Sequence, residues 1–144
     1  MVLYSLVLKM NKGSSIFFGI WSLLFVVGAL VQINDPDPLV WVSIYLIAAF
    51  LSGYVALGRF PKIPLAIVTI LCFAGSLYYF PPSVSEWIAQ EWQQQDLTMK
   101  TVSMEESRES LGLLIIAIVL GIAWFNGWRK KSRLKSKYGP NYLS

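Results

Sequence analysis

Four long apolar stretches alternate with polar segments along the chain. The first, residues 14–33, carries no charged side chain. At ~1.5 Å per residue, a helix of this length extends about 30 Å, which matches the hydrocarbon thickness of a bilayer. The pattern therefore predicts four transmembrane helices, over residues 14–33, 39–57, 63–80 and 107–125.

The polar segments after the first two apolar stretches are short and contain turn-forming residues. Asn34-Asp-Pro-Asp-Pro38 follows the first stretch, and Gly58-Arg-Phe-Pro61 follows the second. Connections of this length make neighbouring helices antiparallel. We therefore expect a single all-α domain over residues 1–144, an integral membrane four-helix bundle with up-down-up-down topology.

The longer segment between the third and fourth stretches has an amphipathic pattern. Ser83-Val-Ser-Glu86 has the form of a capping box, which is typical of a helix start. Four apolar residues then share one helical face: Val84, Trp87, Ile88 and Trp92. We expect a short helix over residues 83–96 to lie in the membrane interface, where tryptophan is favoured.

The two ends of the chain are polar. A second capping box, Ser103-Met-Glu-Glu106, precedes the fourth stretch. After Trp128 the sequence predicts a solvated basic tail over residues 129–144, in which 138–144 are disordered. At the other end Met10 is an alternative start, so residues 1–9 are not expected to contribute to the fold.

Composition supports the membrane class, and the distribution of charge predicts the orientation. Hydrophobic residues make up 56% of the chain and charged residues 14%. Of the 12 lysines and arginines, all except Lys100 and Arg108 lie on one side of the predicted membrane, and the eight acidic residues lie on the other. The positive-inside rule then places both termini in the cytoplasm. We expect the protein to lie in the inner (plasma) membrane of a bacterium.

The same composition excludes several classes of site and partner. The chain has no histidine and a single cysteine, Cys72, so it cannot form an internal disulfide, bind haem through histidine, or supply a His/Cys zinc site by itself. The net charge of +4 arises from residues that flank apolar stretches. We therefore expect contact with the lipid bilayer and no binding of nucleic acid.

Two acidic clusters on the predicted outer side are the candidate functional residues. They lie between the first and second spans and at the start of the fourth span, and in a bundle with short connections these helix ends meet in one layer. Carboxylates four residues apart on a helix repel unless Arg108 or a bound cation lies between them. The candidate ligand-binding residues are Gln32, Asn34, Asp35, Asp37, Trp41, Tyr45, Glu105, Glu106, Arg108 and Glu109.

A purely structural interpretation explains some of these residues equally well. Asp37 before Pro38 is a standard helix start, and Glu106 completes a capping box. Trp41 and Tyr45 are interpreted as aromatic residues of the membrane interface, or alternatively as the wall of a pocket under the acidic clusters. Both a hydrogen-bonded clamp that holds the helix ends and a true ligand site remain open.

These motifs also resemble a known family. They comprise Gln32-x-Asn34-Asp35-Pro36-Asp37 with Trp41 and Tyr45, and Glu105-Glu106-x-Arg108-Glu109 with Gly112 and the following Leu-Leu-Ile-Ile. In this combination the chain resembles the transmembrane protein 220 family, small integral membrane proteins of bacteria and animals. The resemblance implies a helical protein with several spans, and it implies no particular activity.

The leading functional interpretation is a small non-enzymatic membrane protein with an acidic site on its outer face, which binds a divalent cation or a cationic or polar ligand. Asp35, Asp37, Glu105 and Glu109 are the candidate metal ligands, and hard oxygen donors without histidine favour Ca²⁺ or Mg²⁺. One alternative is an accessory subunit that packs against other membrane proteins. Another is an interfacial hydrolase or isomerase that uses a carboxylate pair, with Glu109 as the group of raised pKa.

Overall fold

A computed structural model describes residues 10–35, 37–80, 85, 88–89, 92–93 and 102–139 of this protein. These residues form four long helices: α1 (Lys12–Val31), α2 (Pro38–Ala56), α3 (Lys62–Tyr78) and α4 (Val102–Tyr138). A 3-10 turn, Gln32–Asn34, follows α1. Three of the helices are long and apolar enough to cross a membrane, and α3 is a shorter apolar helix. The predicted all-α membrane bundle is therefore confirmed.

The helices begin and end at residues whose chemistry favours these positions. The Asn11 side chain caps α1 by accepting a hydrogen bond of 2.7 Å from the backbone N–H of Ser14. Proline at the first position begins α2. After α2, Gly58 adopts a φ of 83°, a left-handed conformation that glycine reaches without steric strain. The chain can therefore turn tightly into α3.

The helices pack as two antiparallel pairs. The α1–α2 and α3–α4 interfaces are extensive, and a smaller α2–α4 contact joins the pairs. Serine hydroxyls donate across both large interfaces, from Ser22 to the carbonyl oxygen of Ala49 (2.8 Å) and from Ser110 to that of Ser76 (2.7 Å). Hydroxyls of this kind are favoured between transmembrane helices, since they satisfy polar groups within the bundle.

The core of the bundle is continuous, and its outer surface is apolar. Phe18, Val55, Leu65 and Ile116 are almost completely buried and belong to one cluster with side chains from all four helices. Large apolar side chains on the outside of the helices are exposed, among them Leu23 and Phe50. In a chain of this hydropathy, such an exposed surface is the one that contacts lipid.

The helix α4 is longer than the fourth predicted span. It extends through the basic segment 129–137 to Tyr138, and its 37 residues correspond to about 55 Å. The C-terminal part therefore projects beyond the hydrocarbon layer. At the other end α4 begins at Val102, and the side chain of Ser103, the first residue of the predicted capping box, lies outside the described part of the structure.

The predicted interfacial helix lies mostly outside the described residues. Residues 85, 88–89 and 92–93 are helical, and the remainder of the range 83–96 is not described. Ile88 and Trp92 are both exposed. An apolar face exposed in this way is compatible with contact with the membrane interface.

Candidate functional site at the acidic end of the bundle

One end of the bundle collects the acidic residues of the described chain. Here α1 and α3 end, while α2 and α4 begin. We call this the acidic end, and we call the opposite end, with Lys62 and the last turns of α4, the basic end. The acidic layer consists of four carboxylates and one guanidinium, which belong to Asp35, Asp37, Glu106, Glu109 and Arg108.

Beneath the acidic layer, Tyr45 joins three helices. Its hydroxyl lies next to the side chain of Gln32, which is only 8% exposed. The ring packs on Gly28 of α1 so closely that a Cβ at this glycine would lie 2.7 Å from Cδ1 and Cε1. On the other side, a Cβ at Gly112 of α4 would collide with the Tyr45 hydroxyl. Both glycines therefore create the space that this tyrosine occupies.

Trp41 lies one turn before Tyr45 and is also part of the bundle interior. It is 6% exposed, and its ring meets that of Tyr79 edge to face at a centroid distance of 6.0 Å. The interpretation of Trp41 and Tyr45 as surface aromatics of the membrane interface is therefore wrong. Trp41 and Tyr45 have the spacing of aromatic residues at a membrane interface. In the fold, however, this face of α2 packs against α4 and the end of α3.

The environment of Asp35 indicates that the two acidic stretches of sequence lie close together in the fold. It follows the 3-10 turn, with its backbone N–H donating to the carbonyl oxygen of Gln32 (3.2 Å) and its side chain partly buried. Burial raises the pKa of the Asp35 carboxyl above its ordinary value of 3.8, and the charge of Arg108 opposes this rise. The start of α4 therefore lies close to the segment that leaves α1.

Tyr79, at the end of α3, lies among the carboxylates of the acidic layer. Burial raises the pKa of its hydroxyl, and the charges of Glu109, Asp37 and Glu106 raise it further, together with the neighbouring Tyr78. Glu109 and Glu106 come from α4, whereas Asp37 precedes α2. Carboxylates from both sequence clusters thus act on one phenol at the end of α3.

Three further predicted residues lie at the acidic end with different surroundings. Asp37 is the N-cap residue of α2, as expected, but its side chain makes no capping hydrogen bond. Asn34 is exposed in the 3-10 turn. Glu105 belongs to α4, but its side chain lies outside the described part of the structure. The start of α2 therefore explains why Asp37 precedes Pro38, but helix capping does not explain the role of its carboxylate.

Sequence analysis missed the buried hydroxyls of α4. Ser107 is 0% exposed and Ser110 is 1% exposed, directly within the sequence that carries the acidic residues. The Ser110 hydroxyl is bonded to α3, as described above. The signal that could identify them is their spacing of three residues, which places both hydroxyls on one face of α4. Serine is too common at helix starts for the residue type alone to suffice.

The arrangement brings together groups that attract cations. Asp35 lies near the guanidinium of Arg108, and Asp37, Glu106 and Glu109 lie near the Tyr79 hydroxyl. Within the described part of the chain, no group of three or more His, Cys, Asp or Glu residues is arranged to hold a metal ion. Since the Glu105 side chain is not described, a metal site of Asp35, Asp37, Glu105 and Glu109 stays a prediction.

Comparison with known proteins identifies a family. The model of the family described as "Transmembrane family 220, helix" matches residues 24–125, which is well over half of the chain. The matched range includes every residue of the acidic layer. The resemblance inferred from the two motifs is therefore confirmed. No curated protein and no solved structure matches the chain.

Proposed function

The chain belongs to transmembrane family 220, and we propose that it is a non-enzymatic membrane protein whose acidic layer binds a cation. The observation that supports this proposal is the environment of Tyr79, where carboxylates from two separate stretches of sequence converge. With one arginine among four carboxylates, the layer has an excess of negative charge. A bound cation would reduce the repulsion that this excess produces.

The environment of Asp35 argues for binding over a purely structural role. Burial raises the pKa of this carboxyl, so the folded protein holds its charged form less easily than the unfolded chain does. An asparagine would offer similar hydrogen bonds in a clamp without this disadvantage. Ionised groups retained near the edge of a membrane-spanning bundle are commonly functional.

The chemistry of the layer favours hard cations. Its charged donors are carboxylate oxygens, which are the preferred ligands of Ca²⁺ and Mg²⁺. Tyr79 adds a phenol and an aromatic face, which also suits an organic ammonium group. We propose a divalent cation as the principal ligand and a small ammonium compound as the alternative. Following the positive-inside rule, the proposed site faces the extracytoplasmic side.

The test is cation binding by the purified protein in lipid nanodiscs, measured by calorimetry with Ca²⁺, Mg²⁺ and ethanolamine. Asp35→Asn and Glu109→Gln should each weaken binding about tenfold, because each removes one carboxylate. Arg108→Gln should strengthen binding, because it removes the internal positive charge. Lys12→Gln, an exposed residue at the basic end, is the control that should bind as the unchanged protein does.

The opposite signs of these effects make the test specific. A structural clamp would lose thermal stability in all three variants of the layer and would show no cation binding at all. Absence of binding in the unchanged protein, or equal binding by all variants, would contradict the proposal.

A further inference from the structure

The basic end of the bundle contains a cavity that the acidic layer does not explain. The cavity has a volume of about 320 Å³ and opens between the start of α3 and the last turns of α4. Five side chains line it: Lys62, Trp128, Lys131, Ser132 and Lys135. A volume of this size lies at the lower end of the range for sites of small ligands.

The wall of the cavity concentrates positive charge. Trp128, Lys131 and Lys135 follow the spacing that places residues on one face of α4, and Lys62 approaches this face from the first turn of α3. The charges of Lys131 and Lys135 both act on Lys62. Among the described residues that line the cavity none is acidic. Like charges around one cavity repel each other, and an anion between them would remove this repulsion.

Two local features add to the attraction for an anion. The helix α3 begins at Lys62 without a side-chain cap, so a positive helix end lies at the rim of the cavity. The Ser132 hydroxyl on the wall is a hydrogen-bond donor as well as an acceptor. Lysines with a hydroxyl and a helix N-terminus are the groups that commonly bind phosphate oxygens.

The aromatic residues next to the cavity indicate its depth in the membrane. Trp128 is 54% exposed, and Trp124 and Phe125, one turn earlier on α4, are also exposed. Exposed tryptophan on a transmembrane helix is typical of the headgroup region. The cavity therefore lies where the phosphates of lipids are found, which favours a lipid over a soluble anion.

We propose that this cavity binds the phosphate group of an anionic phospholipid, held by Lys62, Lys131 and Lys135. The acyl chains extend along the apolar outer surface of α3 and α4, and Trp128 covers the glycerol region. A headgroup with two phosphates, as in cardiolipin, is bound more tightly than one with a single phosphate. The site is independent of the proposed cation site, because it lies at the other end of the bundle.

The test uses native mass spectrometry of the detergent-solubilised protein, titrated with cardiolipin, phosphatidylglycerol or phosphatidylcholine. We expect retention of the first two lipids, in that order, and no retention of phosphatidylcholine. The double variant Lys62→Gln/Lys135→Gln should bind the anionic lipids at least about tenfold more weakly, since each lysine near anionic headgroups contributes about fivefold. The matched control is Arg133→Gln/Lys137→Gln, which removes the same charge from α4 residues that do not line the cavity.

Each outcome supports or overturns the proposal. Equal weakening by the cavity variant and the control would show a diffuse electrostatic attraction and overturn a specific site. Displacement of the lipid by millimolar inorganic phosphate would assign the cavity to a soluble anion, and this would overturn the lipid assignment. Circular dichroism melting of both double variants shows whether the helices remain intact.

Discussion

The two ends of the bundle carry opposite charges and differ in the packing next to the charged side chains. At the acidic end, the charged side chains lie above a layer of buried groups, in which Gln32, Trp41 and Tyr45 contact each other or neighbouring helices. At the basic end, Lys62, Lys131 and Lys135 line an open cavity. Both charge sets satisfy the positive-inside rule, which concerns the number of charges near the membrane and not their packing.

Orientation in the membrane therefore does not explain the acidic end. A topology signal needs only exposed charge, as the basic end provides. The close packing of Tyr45 against two glycines fixes the ends of α1, α2 and α4 relative to one another. A precisely held set of carboxylates is what a binding site requires, because its donors must keep their positions when the ligand is absent.

The largest expected effect concerns the two glycines at Tyr45. Gly28→Ala and Gly112→Ala should each lower the free energy of unfolding by about 2 kcal/mol, because the added methyl group overpacks the junction. Denaturant unfolding in detergent micelles measures this loss. Gly19→Ala is the control, since a Cβ there meets nothing within 4 Å. In a Tyr45→Phe background the loss at Gly112 should shrink and the loss at Gly28 should persist.

A smaller effect is expected from the Tyr45 hydroxyl, which lies next to Gln32 beneath the acidic layer. Tyr45→Phe should lower the free energy of unfolding by about 1 kcal/mol, because it removes the polar group next to the buried Gln32 side chain. Tyr78→Phe is the matched control, since Tyr78 is exposed at the end of α3. If both variants unfold at the same denaturant concentration, the Tyr45 hydroxyl does not stabilise the junction.

The Ser110 hydroxyl, which joins α3 and α4, should contribute less to the free energy of unfolding than the Tyr45 hydroxyl. Ser110→Ala removes the bond to the carbonyl oxygen of Ser76, and interhelical bonds in membranes contribute about 0.6 kcal/mol on average. Ser43→Ala provides the comparison, because the Ser43 hydroxyl bonds only within its own helix, to the carbonyl oxygen of Leu39. The same unfolding experiment distinguishes them, and equal losses would argue against a stabilising role of the α3–α4 bond.

The pH dependence of stability should show a modest contribution from Asp35. Its pKa is raised in the folded protein, so the folded state binds more protons than the unfolded state in this range. The resulting stabilisation is full below pH 3.8 and is lost as the pH rises through the higher pKa of the folded state. Melting in chelator between pH 3 and 7 should therefore show a slope that Asp35→Asn reduces. An unchanged slope would mean that Asp35 is not desolvated.

The smallest effect on stability is expected at the basic end. Lys131→Gln should change the free energy of unfolding by less than about 0.5 kcal/mol, because this lysine lines an open cavity. Denaturant unfolding in lipid-free detergent provides the measurement. A large loss would show that the lysines of the basic end are structural, and the contrast between the two ends would disappear.

Much of the fold follows from local pattern. Apolar stretches without charge predict membrane helices, and Pro38 and Gly58 mark a helix start and a turn because of their own backbone preferences. The full length of α4 was not predicted, because the basic segment after Trp128 has no apolar pattern. It is helical as a continuation of the span, and Lys131 and Lys135 then meet the start of α3.

The sequence by itself determined the class, the number of long helices, the family and the separation of charge along the chain. These properties depend on hydrophobicity, on backbone preferences and on motifs, all of which can be recognised in neighbouring residues. Only the tertiary structure decided that α2 packs against α4, that Tyr45 fills the space left by Gly28 and Gly112, and that Arg108 approaches Asp35. Such contacts join residues distant in sequence, and they depend on side-chain shape at helix interfaces, which hydrophobic periodicity does not encode.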